Sequence, residues 1–233
     1  MSDFGDALMA AAGLLTGLNP DLLEIIQLSL FVTLTAVTIA TAIGIPLGGL
    51  LAVKRFPGRA FIVLVIDTFM GLPPVVVGLI VYLWLSRSGP LGVLGLLYTP
   101  TAMIIAQCLL VTPIIAALSR QVIADAHGQY DEQLRSLGAA RWQRIATLLW
   151  ETRTSLLVTV LAGFGRANAE VGAVMIVGGN INHVTRVMTT TVAYETSRGN
   201  LTQALALGIV LILIAMLLTL LLHQLRRLNV EPG

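Results

Sequence analysis

"DEQLRSLGAARWQRIATLLWE", residues 131–151, is the most polar stretch of a chain that is 56% hydrophobic and only 11% charged, with a mean hydropathy of +0.88. A soluble domain carries roughly 25% charged residues. On both sides of the stretch lie apolar runs of about 20 residues, the length that crosses a bilayer core. The fold class is therefore an all-α integral membrane protein, and 131–151 is a segment held outside the hydrocarbon. A length of 233 residues suits one compact bundle without a separate soluble domain.

Working outward, about five spans are expected, at 28–53, 60–85, 98–118, 155–177 and 201–222. Residues 4–16 carry a weak helical stripe, and Asn19-Pro20-Asp21 reads as a helix start with Asn as cap and Pro in the first turn. A helix from Pro20 to Ala52 is too long for one perpendicular span, so its first turns, with Asp21 and Glu24, belong at the interface. The spanning part is expected to loosen near Gly44-Ile45-Pro46. "KRFPGR" (54–59) and "SRSGPLG" (86–92) are turns, Gly71-Leu72-Pro73-Pro74 interrupts the second span, and Pro113 lies inside the third. A short helix is expected within 180–200. The domain reading is an N-terminal extracytoplasmic or interfacial helix (1–27), a membrane domain (28–225) and a tail (226–233).

Basic residues orient the bundle. Lys54, Arg55, Arg59, Arg120, Arg135, Arg141, Arg144, Arg153, Arg226 and Arg227 fall on one face, and Arg87, Arg186 and Arg198 on the other. The richer face is expected to be cytoplasmic. That puts the N-terminus outside, the C-terminus inside and 120–153 in the cytoplasm. The N-terminus lacks the basic start and cleavage site of a signal peptide, so the first span must itself direct insertion.

Other polar marks read as structural. Thr33, Thr35, Thr38 and Thr41 can bond to their own helix backbone. His127, His183 and His223 show no metal-ligand spacing. The single cysteine, Cys108, reads as a small apolar residue in a span. Arg166 differs: a charge in a span is costly and defaults to a functional hypothesis. Glu170 stands four residues on, at ion-pair spacing. The pair either neutralises itself to orient helices or presents Arg166 to an anion. Pro73-Pro74 either kinks an inert bundle or serves a gate.

Residues 121–151 read as two short helices bent near Gly138, where a glycine permits a sharp turn. Leu134, Leu137, Trp142, Ile145, Leu148 and Leu149 are expected to supply apolar contacts. Such a segment either merely joins two spans or presents a knob to a partner's groove. It resembles the EAA loop of ABC importer permeases, of form EAA-xxx-G-x9-I-x-L-P. Glu132 and Gly138 match, with Leu148 and Trp150 in the Ile and Leu places; Gln133-Leu134 replaces Ala-Ala, and Glu151 stands where Pro is usual. The resemblance implies that Glu132, Leu134, Arg135, Gly138 and Ala139 couple the chain to an ATP-binding subunit. The phosphate loop G-x-x-x-x-G-K-[ST] is not here: the sole lysine, Lys54, sits in "LAVKRF". ATP and magnesium would thus be bound by the partner, and no cofactor is expected in this chain.

Three stretches resemble the oxyanion branch of these permeases: "GLPPVVVGL" (71–79), "SGPLG" (88–92) and "FGRANAEVGAVMIVGGNINHVTRVMTT" (164–190). "AEVGAVMIVGGNI", then "TRVMTT" and "ETSRGN", is more similar to tungstate-transporter permeases than to molybdate permeases, which usually read GEFGAT and AGN. The resemblance implies a homodimeric permease subunit in a bacterial inner membrane, with two ATP-binding subunits below and an extracytoplasmic tungstate-binding protein above. Membrane lipid surrounds such a subunit and nucleic acid has no place in it. Molybdate or sulfate transport is the neighbouring reading. A stand-alone channel or secondary transporter would work without ATP. A membrane-embedded enzyme would need a catalytic cluster, and neither HExxH nor GxSxG occurs.

Overall fold

The computed structural model describes residues 20–228 together with Gly5, Met9, Ala12 and Gly13. The stripe at 4–16 falls largely outside these residues, and so do the Asn19 cap and positions 229–233. The described residues form helices and turns only: α1 (Pro20–Val53), α2 (Arg59–Phe69), α3 (Pro74–Leu85), a 3-10 turn (Gly92–Leu94), α4 (Pro100–Ser136), α5 (Arg141–Glu151), α6 (Arg153–Asn168), α7 (Gly172–Gly178), α8 (Met188–Ser197) and α9 (Leu201–Leu228). Three helices, α1, α4 and α9, are long and apolar enough to cross a membrane. Two bent pairs, α2 with α3 at 104° and α5 with α6 at 64°, bring the total to five when each pair counts as one span. The expected all-α fold is borne out, with three to five candidate crossings by length and composition.

The core is built on α1 against α4. Ala36, Ala40, Gly44 and Gly48 recur every fourth residue and are buried on one stripe of α1. Small side chains let two helix backbones approach closely, which is how helices associate where lipid is as apolar as leucine. The approach is so close that a Cβ at Gly48 would lie 2.5 Å from the Ala116 carbonyl oxygen, and one at Gly44 would lie 2.9 Å from Ile115 Cγ2. The expected loosening near Gly44-Ile45-Pro46 is therefore corrected. α1 runs unbroken through Pro46, and these glycines are its tightest packing face. Cys108, half-buried on α4, points its thiol at the Ala36 carbonyl (3.4 Å). Thr38 bonds the Leu34 carbonyl of its own helix (2.7 Å) as expected, whereas the buried Thr41 hydroxyl has no partner.

Two further expectations change. The third span was to end near 118, with two short helices following; instead α4 continues to Ser136 as one helix of 37 residues. Its length is about 55 Å at about 1.5 Å per residue, far beyond the bilayer core of roughly 30 Å. No Gly-Pro pair interrupts 119–136, and Asp131 pairs with Arg135 one turn on (3.6 Å), so the helix propagates out of the membrane. The fourth span, expected at 155–177, is divided at Ala169–Val171 into α6 and the short α7. The expected short helix of the 180–200 loop is α8, and α9 continues through Arg226-Arg227 to Leu228, into the expected tail.

Candidate functional site

At the end of α4, Leu137 is the C-terminal cap after Ser136 and Gly138 takes a left-handed conformation (φ +72°). The Ala139 N–H donates to the Leu134 carbonyl (3.0 Å) and the Gly138 N–H to the Arg135 carbonyl (3.0 Å). This is a Schellman stop, the arrangement that a glycine just past a helix end favours. α5 then starts at Arg141, with the Gln143 side chain accepting from the Ala140 N–H (2.7 Å).

Asp131 fixes the angle between the two helices: Arg144 of α5 donates to it at 2.7 Å, while Arg135 and His127 lie 3.6 and 3.7 Å away. The sequence reading passed over Asp131 and Arg144. Their contact spans a turn whose geometry no periodicity reveals. Of the coupling candidates, Glu132, Arg135 and Gly138 are exposed, and Leu134 and Ala139 half-buried. Of the residues expected to supply apolar contacts, Leu148 is buried and Leu134 half-buried. Leu137 and Trp142, at 78% and 70% exposed, stand out instead. α5 is amphipathic, and its Trp142, Ile145 and Trp150 stand exposed among the described residues, so the segment presents a ridge rather than a closed loop.

The second candidate lies where two chain breaks meet. Arg166, in the last turn of α6, donates to Glu170 at 2.7 Å. The pair forms although Glu170 lies beyond the helix and not on one helical face as expected. Its other oxygen accepts from the Ala173 N–H (2.9 Å) at the start of α7, and Thr189 of α8 donates to its carbonyl (3.0 Å). The Glu170 side chain is 2% exposed and that of Arg166 is 28% exposed. Pro73-Pro74 forms the bend between α2 and α3, bringing Val75 against the same break. A Cβ at Gly172 would lie 3.0 Å from Val75 Cγ2 and 3.8 Å from Glu170 Oε1. Gln107 of α4 adds a bond to the Ala167 carbonyl (3.2 Å), a contact the sequence reading missed. All four candidates, Pro73, Pro74, Arg166 and Glu170, thus gather at one junction, while the coupling turn stands at the end of α4.

On the face expected to be outer, Arg186 and Arg198 flank the Tyr194 ring at 5.2 and 5.4 Å. His183 Nδ1 bonds Glu24 of α1 at 2.7 Å, and Asp21 joins them with ligand atoms all within 4.8 Å. Three side chains read as unrelated in the sequence are gathered here, because the loop folds back onto α1. The hydrogen bond to Glu24, aided by its charge and by Asp21 against opposing effects of slight burial and Arg186, raises His183 above its ordinary value of 6.5. A raised folded-state pKa means the link is fully stabilising below about 6.5 and is lost as pH climbs through the raised value. Imidazole titration by NMR should give His183 a midpoint above 6.5 that Glu24→Gln lowers; an unchanged midpoint would remove the pair.

Residues 44–230 match the family described as Binding-protein-dependent transport system inner membrane component, and the chain belongs to that family. It is accordingly a multi-pass inner-membrane permease component. Among its relatives, the chain is 41% identical to the Tungstate uptake system permease protein TupB of Peptoclostridium acidaminophilum over 226 residues, covering 97% of this chain and 99% of that one. The TupB of Campylobacter jejuni is 40% identical over 74% of this chain and 72% of its own length. The Sulfate transport system permease protein CysW of Escherichia coli is 31% identical over 70% of this chain and 58% of its own length.

Proposed function

We propose that the chain is the membrane subunit of an ATP-driven tungstate importer, which translocates the oxyanion without forming a covalent bond to it. The 41% identity to a tungstate uptake permease across 97% of the chain carries this reading. The lower identity to the sulfate permease, 31%, supports tungstate over sulfate. Two copies of the membrane domain (28–225) would line one central path. Two ATP-binding subunits would dock on the ridge formed by the Gly138 turn, and a tungstate-binding protein would dock on the opposite face. The exposed apolar side chains of Leu137 and Trp142 support docking, since a lone solvated loop would gain nothing from them. ATP, with its magnesium, binds and is hydrolysed in the partner subunit. Closure of the two partners would draw the two Gly138 turns together and open the outward side. Uptake by the reconstituted complex is the test. Tungstate should outcompete molybdate and sulfate, and uptake should require ATP; equal competition would reassign the cargo, and ATP-independent uptake the class. Orientation is tested separately: reporter fusions should place the N-terminus outside and the end of α9 in the cytoplasm, as the basic-residue asymmetry requires.

A further inference from the structure

Two cavities adjoin where α1, α4 and α5 meet, at the level where α1 passes from Val53 to Lys54. The first, about 380 Å³, is walled by Ile45, Pro46, Leu50, Ile123, Ile145 and Leu149, with Lys54 at its edge. The second, about 370 Å³, is lined by His127, Asp131, Arg135 and Arg144. They share Val53, Ile145 and Leu148, so an apolar chamber opens onto a polar one. Each is as large as a small-molecule site, about 300–1,000 Å³.

The polar chamber has an excess of positive charge. Arg135 and Arg144 there face one carboxylate, Asp131, and Lys54 lines the adjoining apolar chamber. Arg144 spends Nη1 on Asp131 at 2.7 Å, but its Nε is buried without an acceptor among the described residues. His127 Nδ1 is likewise buried without a hydrogen-bond partner. Unmade hydrogen bonds at buried polar atoms are costly, and an anionic oxygen would satisfy them. The apolar chamber is reached past Leu50 and Ile145, which are 42% and 45% exposed on elements bordering the hydrocarbon.

We propose that this groove binds one anionic phospholipid, its acyl chain in the apolar chamber and its phosphate among Arg144, His127 and Lys54. A soluble anion would leave the apolar chamber unused, and an apolar segment of protein would leave the basic one uncompensated. The amphipathic division matches a lipid with a charged headgroup. Basic residues at a membrane surface attract anionic lipid in this way. The assignment rests on the inner-membrane placement with 54–59 and 120–153 on one face, and is independent of the cargo. It would tie the coupling helix α5 to lipid composition, because the same groove forms the α5 wall.

The test uses the assembled transporter in phosphatidylcholine nanodiscs. These are doped with phosphatidylglycerol or phosphatidylcholine carrying a photoreactive group in the acyl chain. Labelling by the phosphatidylglycerol probe should map to residues 45–53 and 145–149. It should exceed phosphatidylcholine labelling by about fivefold for each basic residue engaged. Lys54→Ala should remove about fivefold of that preference. Ile145→Trp should block both probes at this site, as should Leu50→Trp from the opposite wall. Equal labelling by the two probes, or label spread over all apolar helices, overturns the proposal. So does labelling that appears only when the ATP-binding subunits are removed, which would make the groove a protein interface. An impermeant amine reagent applied to vesicles of known orientation reports the face of Lys54. A wrong topology is thereby distinguished from a groove that takes no lipid.

Discussion

Gly138→Trp is expected to abolish ATP-driven uptake while leaving the subunit inserted and folded. The left-handed backbone at Gly138 costs a non-glycine residue about 1–2 kcal/mol. That cost weakens the turn but does not release it, because the Asp131–Arg144 pair and buried Leu148 hold α5 independently. A Cβ at Gly138 has no neighbour within 4 Å among the described residues. The steric penalty is therefore expected from a docked partner. Exclusion at the centre of a packed interface costs at least about 2 kcal/mol, roughly 30-fold in affinity. Gly138→Asn is the control, since Asn tolerates the left-handed region and adds little bulk. It should retain uptake and co-purification of the ATP-binding subunit. Normal uptake by Gly138→Trp would mean that this turn docks no partner.

Glu170→Ala should cost the assembled protein itself. It removes two acceptors, leaving Arg166 and the Ala173 N–H without partners at a buried junction. Breaking a buried pair from one side costs about 3–5 kcal/mol. Because Arg166 keeps 28% side-chain exposure and can recover some solvation, the loss belongs at the lower end of that range. Glu170→Gln keeps an oxygen for the Ala173 N–H and should assemble far better. The yield of folded subunit after detergent extraction compares the two. Equal yields from Glu170→Ala and the unaltered chain would show that the junction is not held by this carboxylate. Charge reversal, Arg166→Glu with Glu170→Arg, is not expected to restore the fold, because an arginine at 170 cannot accept from the Ala173 N–H. Restoring the ion pair alone is therefore no test of whether Arg166 faces an anion. Uptake per folded subunit in Arg166→Lys, which keeps the charge and shortens the fork, addresses that role.

The helices were legible because their determinants are local. Apolar runs set the crossings, Pro73-Pro74 set the bend between α2 and α3, and the spacing from Glu132 to Gly138 placed the turn at the end of α4. The family followed from those same short stretches. Gly44 was misread and Gly48 passed over, since a glycine in isolation signals only flexibility. Whether it loosens a helix or lets a neighbour approach depends on Ala116 and Ser119, which lie about seventy positions away in sequence. The Arg166–Glu170 spacing foretold an ion pair but not its consequence. Only the break at Ala169–Val171 turns that carboxylate into the acceptor for α7 and brings Val75 alongside. Asp131 with Arg144, and His183 with Glu24, were invisible for the same reason: each joins elements across a turn or a fold-back. Hydropathy and local turn chemistry act over a few residues and are written in the chain. Which polar groups face one another was decided by packing, since a buried donor left without an acceptor in hydrocarbon is costly.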